Sequence, residues 1–418
     1  MRIVIRFAIF LGFLVLIVFA QRFWFSHAWQ GIARVSRPLL RRTLQILWAL
    51  ALFIAISSFF HPFFGRFLPL GGFGRVLEIG RLWLIVSVFG FLAFELITGL
   101  GWTTHFVAGL AKPSQDEFKP ERRNFLRNVA YLVSSIPFFA AAYGYAVERW
   151  DFQVEQVEIP LANWPKELDG LKIVQLSDIH RSDTMPRSEV ARAVQMSNAL
   201  RADLAVITGD FISGVGDPLE DCVAELAKLR APLGIWGCNG NHEIYAEAED
   251  KAQRLFAQNG MKLLRQENAE LAYRGAKFNL IGVDYQRDHM TRGPAGPMLE
   301  NVQNLVRPDM PNILLSHNPN SFRRAADLGI ELSLAGHTHG GQVKFEVVDH
   351  DVTPARLITE FVAGLYRLPF GNGSAPILEN GNRTKAAAIY VNRGLGTFGM
   401  PVRLGVPPEI TLITLRSA

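Results

Sequence analysis

The chain contains few cysteines and little charge. Only two of its 418 residues are cysteine, Cys222 and Cys238, and 19% are charged, against about 25% in an average soluble domain. The cysteines lie 16 positions apart, which is not a metal-ligand spacing, and free thiols are favoured over a disulfide. No basic run with interleaved aromatic residues occurs. The net charge of +5 therefore indicates contact with anionic lipid head groups and not with nucleic acid.

Apolar sequence, in contrast, is abundant toward the amino terminus. Hydrophobic residues make up 49% of the chain, and four runs of them are nearly uninterrupted. Each run is close to the roughly 20 residues that span a bilayer, and none has the regular polar face expected of a helix in a soluble bundle. Four membrane helices are therefore predicted, at residues 3–20, 44–60, 82–100 and 129–147.

Basic residues are distributed unevenly among the loops between these helices. Because basic loops favour the cytoplasmic side, the first and third loops are predicted to be cytoplasmic. The segment after the fourth helix would then lie outside the cytoplasm, in a multi-pass protein of the inner or plasma membrane. The basic residues are Arg22, Arg34, Arg37, Arg41 and Arg42 in loop one, Arg66, Arg75 and Arg81 in loop two, and Lys112, Lys119, Arg122, Arg123 and Arg127 in loop three.

The stretch ERRNFLR at residues 121–127 resembles a twin-arginine export signal. Arginine pairs beside membrane helices also arise from topology alone, so use of that export pathway stays open. Both interpretations give the same orientation.

The sequence changes character after residue 147. Residues 148–170 are predicted to be a linker and domain entry, and residues 171–418 a globular α/β domain, because short apolar segments alternate there with polar or helical ones. The predicted strands are residues 171–176, 204–208, 233–238, 278–283, 313–316 and 331–334.

Polar clusters follow five of these six strands directly. Because ligands of open α/β sheets collect outside the carboxyl ends of the strands, residues remote in sequence should converge there. Asp, Asn and His side chains without thiolate form a ligand set for two divalent metals, and one carboxylate must bridge for two cations to lie about 4 Å apart. The clusters are SDIH with Asp178 and His180, TGD with Asp210, GNHE with Asn241, His242 and Glu243, SHNP with His317, and GHTHGG with His337 and His339.

The segment LAGHTHGGQV holds the last two histidines among glycines. Residues at i and i+2 of an extended strand end point to the same side, and glycines let the backbone bend sharply and approach a ligand. A metal-binding turn is therefore predicted at His337 and His339.

The ordered set DxH, GD, GNH, H and GHTHGG resembles the calcineurin-like metallophosphoesterases over residues 171–341. Three stretches of the tail, GLY at 364–366, VNRGLGT at 391–397 and PPEI at 407–410, resemble a membrane-anchored bacterial subgroup that includes relatives of UDP-2,3-diacylglucosamine hydrolases. The resemblance implies an αββα sandwich that hydrolyses a phosphate ester, phosphodiester or pyrophosphate with two divalent ions, such as Mn, Fe, Zn or Mg.

The resemblance also implies a role for each site residue. Asp210 bridges two metals, and His242 is the general acid, whereas Glu243, where many members carry Asp, is not a ligand. The implied ligands are Asp178, His180, Asp210 and His339 for one metal, and Asp210, Asn241, His317 and His337 for the other.

Several alternatives stay open in the sequence. A metal-stabilised, non-catalytic membrane scaffold competes with the enzyme, although every expected catalytic position is filled. The substrate is either lipid-linked or a soluble phosphodiester, and four membrane helices favour the lipid. Residues 357–370, placed after the end of the predicted sheet, form either a lip that touches lipid or a packed insertion. Arg393 and Arg403 bind substrate phosphate or form structural salt bridges.

Overall fold

The computed structural model describes residues 2–64, 74–111, 120–161, 164–286, 298–347, 350–370 and 386–418. The chain divides into two compact units, Met1–Tyr145 and Ala146–Ala418.

The first unit consists, in its described part, of helices long and apolar enough to cross a membrane, as predicted. The candidate spans are residues 11–33, 38–60, 76–100 and 124–150, of which the last continues a few residues past the end of the fourth helix. The helices are α1 (Arg2–Ala33), α2 (Pro38–Phe64), α3 (Gly74–Ala111) and α4 (Pro120–Ala146).

The first helix extends well beyond its predicted end at residue 20. The helix can continue because the polar side chain of Gln21 finds hydrogen-bond partners inside the unit. Its Nε2 donates to the hydroxyl of Ser87 at 2.6 Å, and its Oε1 accepts from the indole of Trp83 at 3.0 Å. Several residues assigned to loops therefore lie within helices, among them Arg22 in α1 and Arg81 in α3. Arg66, Lys112 and Lys119 lie outside the described residues.

The second unit alternates strands and helices. Its described helices are α5 (Arg187–Ala199), α6 (Leu219–Leu226), α7 (Asn241–Tyr245), α8 (Glu249–Gln258) and α9 (Phe322–Asp327). The strands are β1 (Gln153–Leu161), β2 (Lys172–Leu176), β3 (Leu204–Thr208), β4 (Ile235–Cys238), β5 (Lys262–Leu263), β6 (Glu267–Tyr273), β7 (Ala276–Gly282), β8 (Asn312–Leu315), β9 (Leu332–Ala335), β10 (Phe345–Val347), β11 (His350–Val352), β12 (Gly364–Pro369), β13 (Ala386–Val391) and β14 (Glu409–Ser417).

Two six-stranded sheets organise this unit. The first has the order β1-β14-β2-β3-β4-β5, and the second has the order β12-β13-β9-β8-β7-β6. Strands β2 to β5 run parallel in the first sheet, and β7, β8, β9 and β13 run parallel in the second. Each sheet therefore presents a row of carboxyl strand ends at one edge.

Alternation along the strands distributes the core over both faces of each sheet. In β3, Leu204 and Val206 pack between the sheets, whereas Ala205 and Ile207 pack beneath α5, α6 and α8. On the far face of the second sheet, Phe322 of α9 joins side chains of β12 and β13. The layers are helix, sheet, sheet and helix, which confirms the αββα sandwich.

All six predicted strands are present, with ends that differ by one or two residues. The placement of residues 357–370 after the end of the sheet was wrong, because β12 pairs with the free edge of β13. This segment is packed at Phe361 and Leu368 but exposed at Leu357 and Ile358. Both cysteines are buried free thiols, as favoured from the sequence.

Candidate metal centre

The predicted site residues follow five parallel strands at their carboxyl ends. Asp178 follows β2, Asp210 follows β3, Asn241 follows β4, His317 follows β8 and His337 follows β9. These strands are neighbours within their sheets, so the side chains at their carboxyl ends lie close together. Nearly all of these side chains are buried.

Five of the seven proposed ligands have a left-handed backbone. The φ angles are 49° at Asp178, 50° at His180, 55° at Asp210, 75° at His337 and 52° at His339. This conformation is uncommon for residues with a side chain and costs on the order of 1–3 kcal/mol per residue. Its concentration here shows that the fold holds these donors in place against local strain.

One group of donors comprises Asp178, His180 and His339. The Nε2 atoms of His180 and His339 are 3.1 Å apart, and Nε2 of His339 is 3.3 Å from Oδ1 of Asp178. Oδ2 of Asp210 lies 3.6 Å from Nε2 of His180. Oxygen and nitrogen donors this close together could hold one cation between them.

The second group comprises Asp210, His317 and His337. Nε2 of His317 lies 3.1 Å from Oδ2 of Asp210, and its Nδ1 donates to the carbonyl of Thr208 at 2.5 Å. That bond fixes the ring so that Nε2 faces the cluster. Asp210 therefore adjoins both groups, as a bridging carboxylate must.

An unpaired buried atom supports the fit of these residues to metal ions. Oδ1 of Asn241 has no hydrogen-bond partner among the described residues, although this residue is only 5% exposed. A buried polar atom without a partner is costly. The Asn241 oxygen is thus a natural seventh donor beside the carboxylates and imidazoles.

The electrostatics of the cluster favour cation binding. Burial lowers the pKa of His180 and His337 to about 3, so their rings are neutral and offer lone pairs. Burial also raises the pKa of Asp178 to about 6. At His317 burial opposes protonation, yet Asp210 and Asp178 raise its pKa to about 10. The space between the two carboxylates therefore attracts positive charge.

His242 faces the same cluster from α7. Its Nδ1 donates to the carbonyl of Ser213 at 2.6 Å, which directs Nε2 toward Oδ2 of Asp210 at 4.0 Å. Together with His180 and Asp210 it forms a third compact group of donors. The geometry by itself thus admits His242 as a ligand or as a proton donor.

Glu243 has a positioning role that the sequence did not indicate. Its buried carboxylate accepts the backbone N–H groups of Asp210, Phe211 and Gly240 at 2.8 to 2.9 Å. One side chain therefore ties the loop that carries Asp210 to the loop that carries Asn241. Burial raises the pKa of this carboxyl to about 7.

Replacing Glu243 with alanine should destabilise the second unit. Three buried amides lose their acceptor, at about 1–3 kcal/mol each, and Glu243→Gln should cost less because one acceptor oxygen remains. Thermal unfolding of the full-length protein measures this, with exposed Glu220→Ala as the matched control. Equal unfolding temperatures for Glu243→Ala and the control would contradict the positioning role of Glu243.

Arg393 and Arg403, the two arginines considered as phosphate ligands, are structural. Arg403 is fully buried and donates to the backbone carbonyls of Gly396, Val406 and Gly394. Arg393 is held between Glu409 and Glu155, at 2.5 Å from each. Arg393 therefore forms structural salt bridges, which was one of the two alternatives. Arg403 instead forms hydrogen bonds with backbone carbonyls.

Residues 171–341 match the family model described as calcineurin-like phosphoesterase, a range that contains every proposed ligand and His242. The chain is also 30% identical over 307 residues to the uncharacterized metallophosphoesterase YkuE of Bacillus subtilis, covering 72% of this chain and 99% of that protein. The chain belongs to the calcineurin-like metallophosphoesterases.

Two animal metallophosphoesterases are similar as well. The chain is 34% identical over 274 residues to the transmembrane protein with metallophosphoesterase domain of Bos taurus, and 32% identical over 285 residues to its namesake in Danio rerio. The matches cover 63% and 66% of this chain. They span only 57% and 60% of those relatives' length.

Proposed function

We propose that this metallophosphoesterase is a membrane-bound hydrolase of phosphate esters or phosphodiesters that works with two divalent metals. The observation that carries the proposal is the position of Asp210 between two groups of buried donors, 3.6 Å from His180 and 3.1 Å from His317. One metal would be held by Asp178, His180, Asp210 and His339, and the other by Asp210, Asn241, His317 and His337. When bound, two cations would offset phosphoryl charge and acidify the attacking water.

Hydrogen bonds from neighbouring groups fix the orientation of the two donor carboxylates. Ser177 donates to Oδ2 of Asp178 at 2.6 Å, and the backbone N–H of His337 donates to the same carboxylate at 3.0 Å. The backbone N–H of His242 donates to Oδ1 of Asp210 at 2.9 Å, which leaves Oδ2 directed at the two histidines. Each carboxylate is thus oriented before a ligand arrives.

His242 is proposed to be the general acid rather than a ligand. The seven other donors are sufficient for two sites. Because Nδ1 donates to the carbonyl of Ser213, Nε2 is the atom from which the doubly protonated ring would give up a proton, returning to the neutral form. A positioned imidazole of this kind can protonate the leaving oxygen as the bond to phosphorus breaks.

The substrate is proposed to be amphiphilic. The aromatic ring of Phe398, which is 52% exposed, lies 4.6 Å from the ring of His242. Tyr245, 54% exposed, is 5.8 Å from His242 on the same α7. A cavity of about 200 Å³ places Ile358 beside Phe398, His337 and His339. Exposed apolar side chains at a charged site suit a phosphate that carries a lipid chain, as a nucleotide-linked lipid does.

This substrate class can be tested at Ile358, whose side chain is exposed and so can change without disturbing the core. Ile358→Ser should lower kcat/KM for a long-chain phosphatidic acid about fivefold to tenfold, because one aliphatic side chain would no longer be buried against the lipid chain. Activity on glycerol phosphate should stay the same. Val352→Ser, another exposed apolar position, is the control. An equal loss on both substrates would argue against an apolar subsite.

The second unit is proposed to lie outside the cytoplasm. Basic residues concentrate around the loop between α1 and α2 and at the start of α4, and basic flanks favour the cytoplasmic side. A reporter that is active only in the periplasm, fused after Ala418, should therefore give signal. Signal from a cytoplasmic reporter alone would reverse the orientation.

A further inference from the structure

The loop between β13 and β14 carries Phe398 to the metal centre. The base of this loop is anchored beside a proposed ligand, since the backbone N–H of Gly396 donates to the carbonyl of Asp178 at 2.7 Å. The buried guanidinium of Arg403 also donates to the carbonyl of Gly396, at 2.6 Å. These bonds fix the base of the loop independently of its tip.

The side-chain amide of Gln342 holds the tip of the loop. Its Nε2 donates to the carbonyl of Phe398 at 2.9 Å, and its Oε1 accepts the backbone N–H of the same residue at 2.5 Å. Gln342 stands three positions after the proposed ligand His339 and has a φ of 57°. This left-handed conformation is uncommon for a residue with a side chain, and such residues concentrate at functional sites.

The ring held by these two bonds lies against the proposed general acid. The ring centroids of Phe398 and His242 are 4.6 Å apart, with an angle of 68° between the planes. The ring of His180 is 6.0 Å away at 27°. Phe398 also lines, with Gln342 and His339, the cavity of about 200 Å³ at the metal centre. Because the residue is 52% exposed, much of its ring is open to a ligand.

We propose that Phe398 is a specificity-determining residue that contacts an apolar or aromatic leaving group, and that Gln342 is its positioning residue. The inference rests on the proposed function, since a leaving group that receives a proton from His242 would lie beside the ring of Phe398. Aromatic rings pack favourably against other rings in offset or edge-to-face arrangements. A small polar leaving group would gain no such contact.

The two hydrogen bonds from Gln342 give the ring of Phe398 a defined position before a substrate binds. Without them the tip of the loop would be free to turn away from His242. A side chain that is already ordered costs a ligand less conformational entropy than one that must be immobilised on binding. Removal of the amide should therefore weaken the binding of aromatic ligands although the ring itself is still present.

Calorimetric titration of the full-length protein in detergent with benzylphosphonate and with methylphosphonate tests the proposal. Both compounds carry a carbon atom in place of the ester oxygen, so neither is hydrolysed, and only benzylphosphonate has a ring that can contact Phe398. Wild type should bind benzylphosphonate more tightly than methylphosphonate. Phe398→Ala should reduce this preference about threefold to tenfold, the size of an aromatic pair contact.

Gln342→Met removes both hydrogen bonds and keeps the length of the side chain. It should reduce the preference for benzylphosphonate about twofold to fivefold, because the ring must then be immobilised on binding. The affinity for methylphosphonate should not change. Gln258→Met, at an exposed glutamine of α8, is the matched control and should bind both compounds as wild type does.

The outcomes separate specificity from folding and from hydrolysis. Equal losses of affinity for both phosphonates would mean that Phe398 and Gln342 are only structural, and would overturn the proposal. A wild type without the preference, or a Phe398→Ala protein that keeps it, would do the same. If Phe398→Ala loses the preference and Gln342→Met keeps it, only the positioning role of Gln342 is overturned. The expected preference in a protein that hydrolyses no ester would support the role of Phe398 and contradict only the proposed hydrolysis.

Discussion

Replacing Asp210 with alanine is expected to abolish hydrolysis and to remove both metals. The reason is the position of this carboxylate, whose Oδ2 lies 3.6 Å from Nε2 of His180 and 3.1 Å from Nε2 of His317. Loss of an ordinary ligand would empty one site, whereas loss of a shared ligand weakens two. Elemental analysis and hydrolysis of an aryl phosphodiester measure the two effects on the same sample.

A second variant separates this effect from misfolding. Asp210 has a φ of 55°, a conformation that Asn tolerates better than Ala, so Asp210→Asn should fold while it lacks the bridging charge. Asp309→Asn, at an exposed carboxylate paired with Arg307, is the matched control. Retention of two metals in a folded Asp210→Asn or Asp210→Ala protein would count against the bridging role.

Replacing His242 with alanine should lower turnover by about 10²- to 10⁴-fold, the range for loss of general acid–base help. Both metals should stay bound, because the seven remaining donors are intact. The loss should depend on the leaving group, since an alkoxide needs a proton whereas an activated phenolate departs without one. Comparison of an alkyl and an aryl ester, with metal content measured alongside, tests this assignment.

The possible results of this experiment have distinct meanings. A larger loss on the alkyl ester supports proton donation by Nε2 of His242. Equal losses with two metals retained would mean that the ring only stabilises the phosphoryl group. Loss of a metal would make His242 a ligand, which its 4.0 Å distance from Asp210 permits. Unchanged turnover would contradict the mechanism.

The positions of the donors could be predicted from the sequence because each follows a short apolar strand. Asp178, Asp210 and His317 stand two residues after the ends of β2, β3 and β8, and parallel strands bring such positions to one edge. The membrane helices could be predicted for a similar reason, since length and apolar composition decide them. These features depend on local pattern alone.

What could not be predicted depends on contacts between distant segments. Nothing in the sequence indicates that Phe398 lies against His242, because the two are 156 positions apart and belong to no common motif. Glu243 could be placed near the site, but its bonds to the backbone of Asp210 and Phe211 require the folded loops. Strand β12 was not predicted because its sequence has no regular pattern. Only its pairing with β13 in the folded chain identifies it as a strand.

The most direct test of the account is the metal content of the wild-type protein, purified full-length in detergent without chelator. The arrangement of Asp178, His180, Asp210, Asn241, His317, His337 and His339 predicts two divalent ions per chain by elemental analysis. Chelation should remove both ions together with the phosphoesterase activity, and adding divalent metal should restore both. A protein that hydrolyses phosphoesters with no metal bound, or that holds only one ion at saturation, would contradict a centre bridged by Asp210.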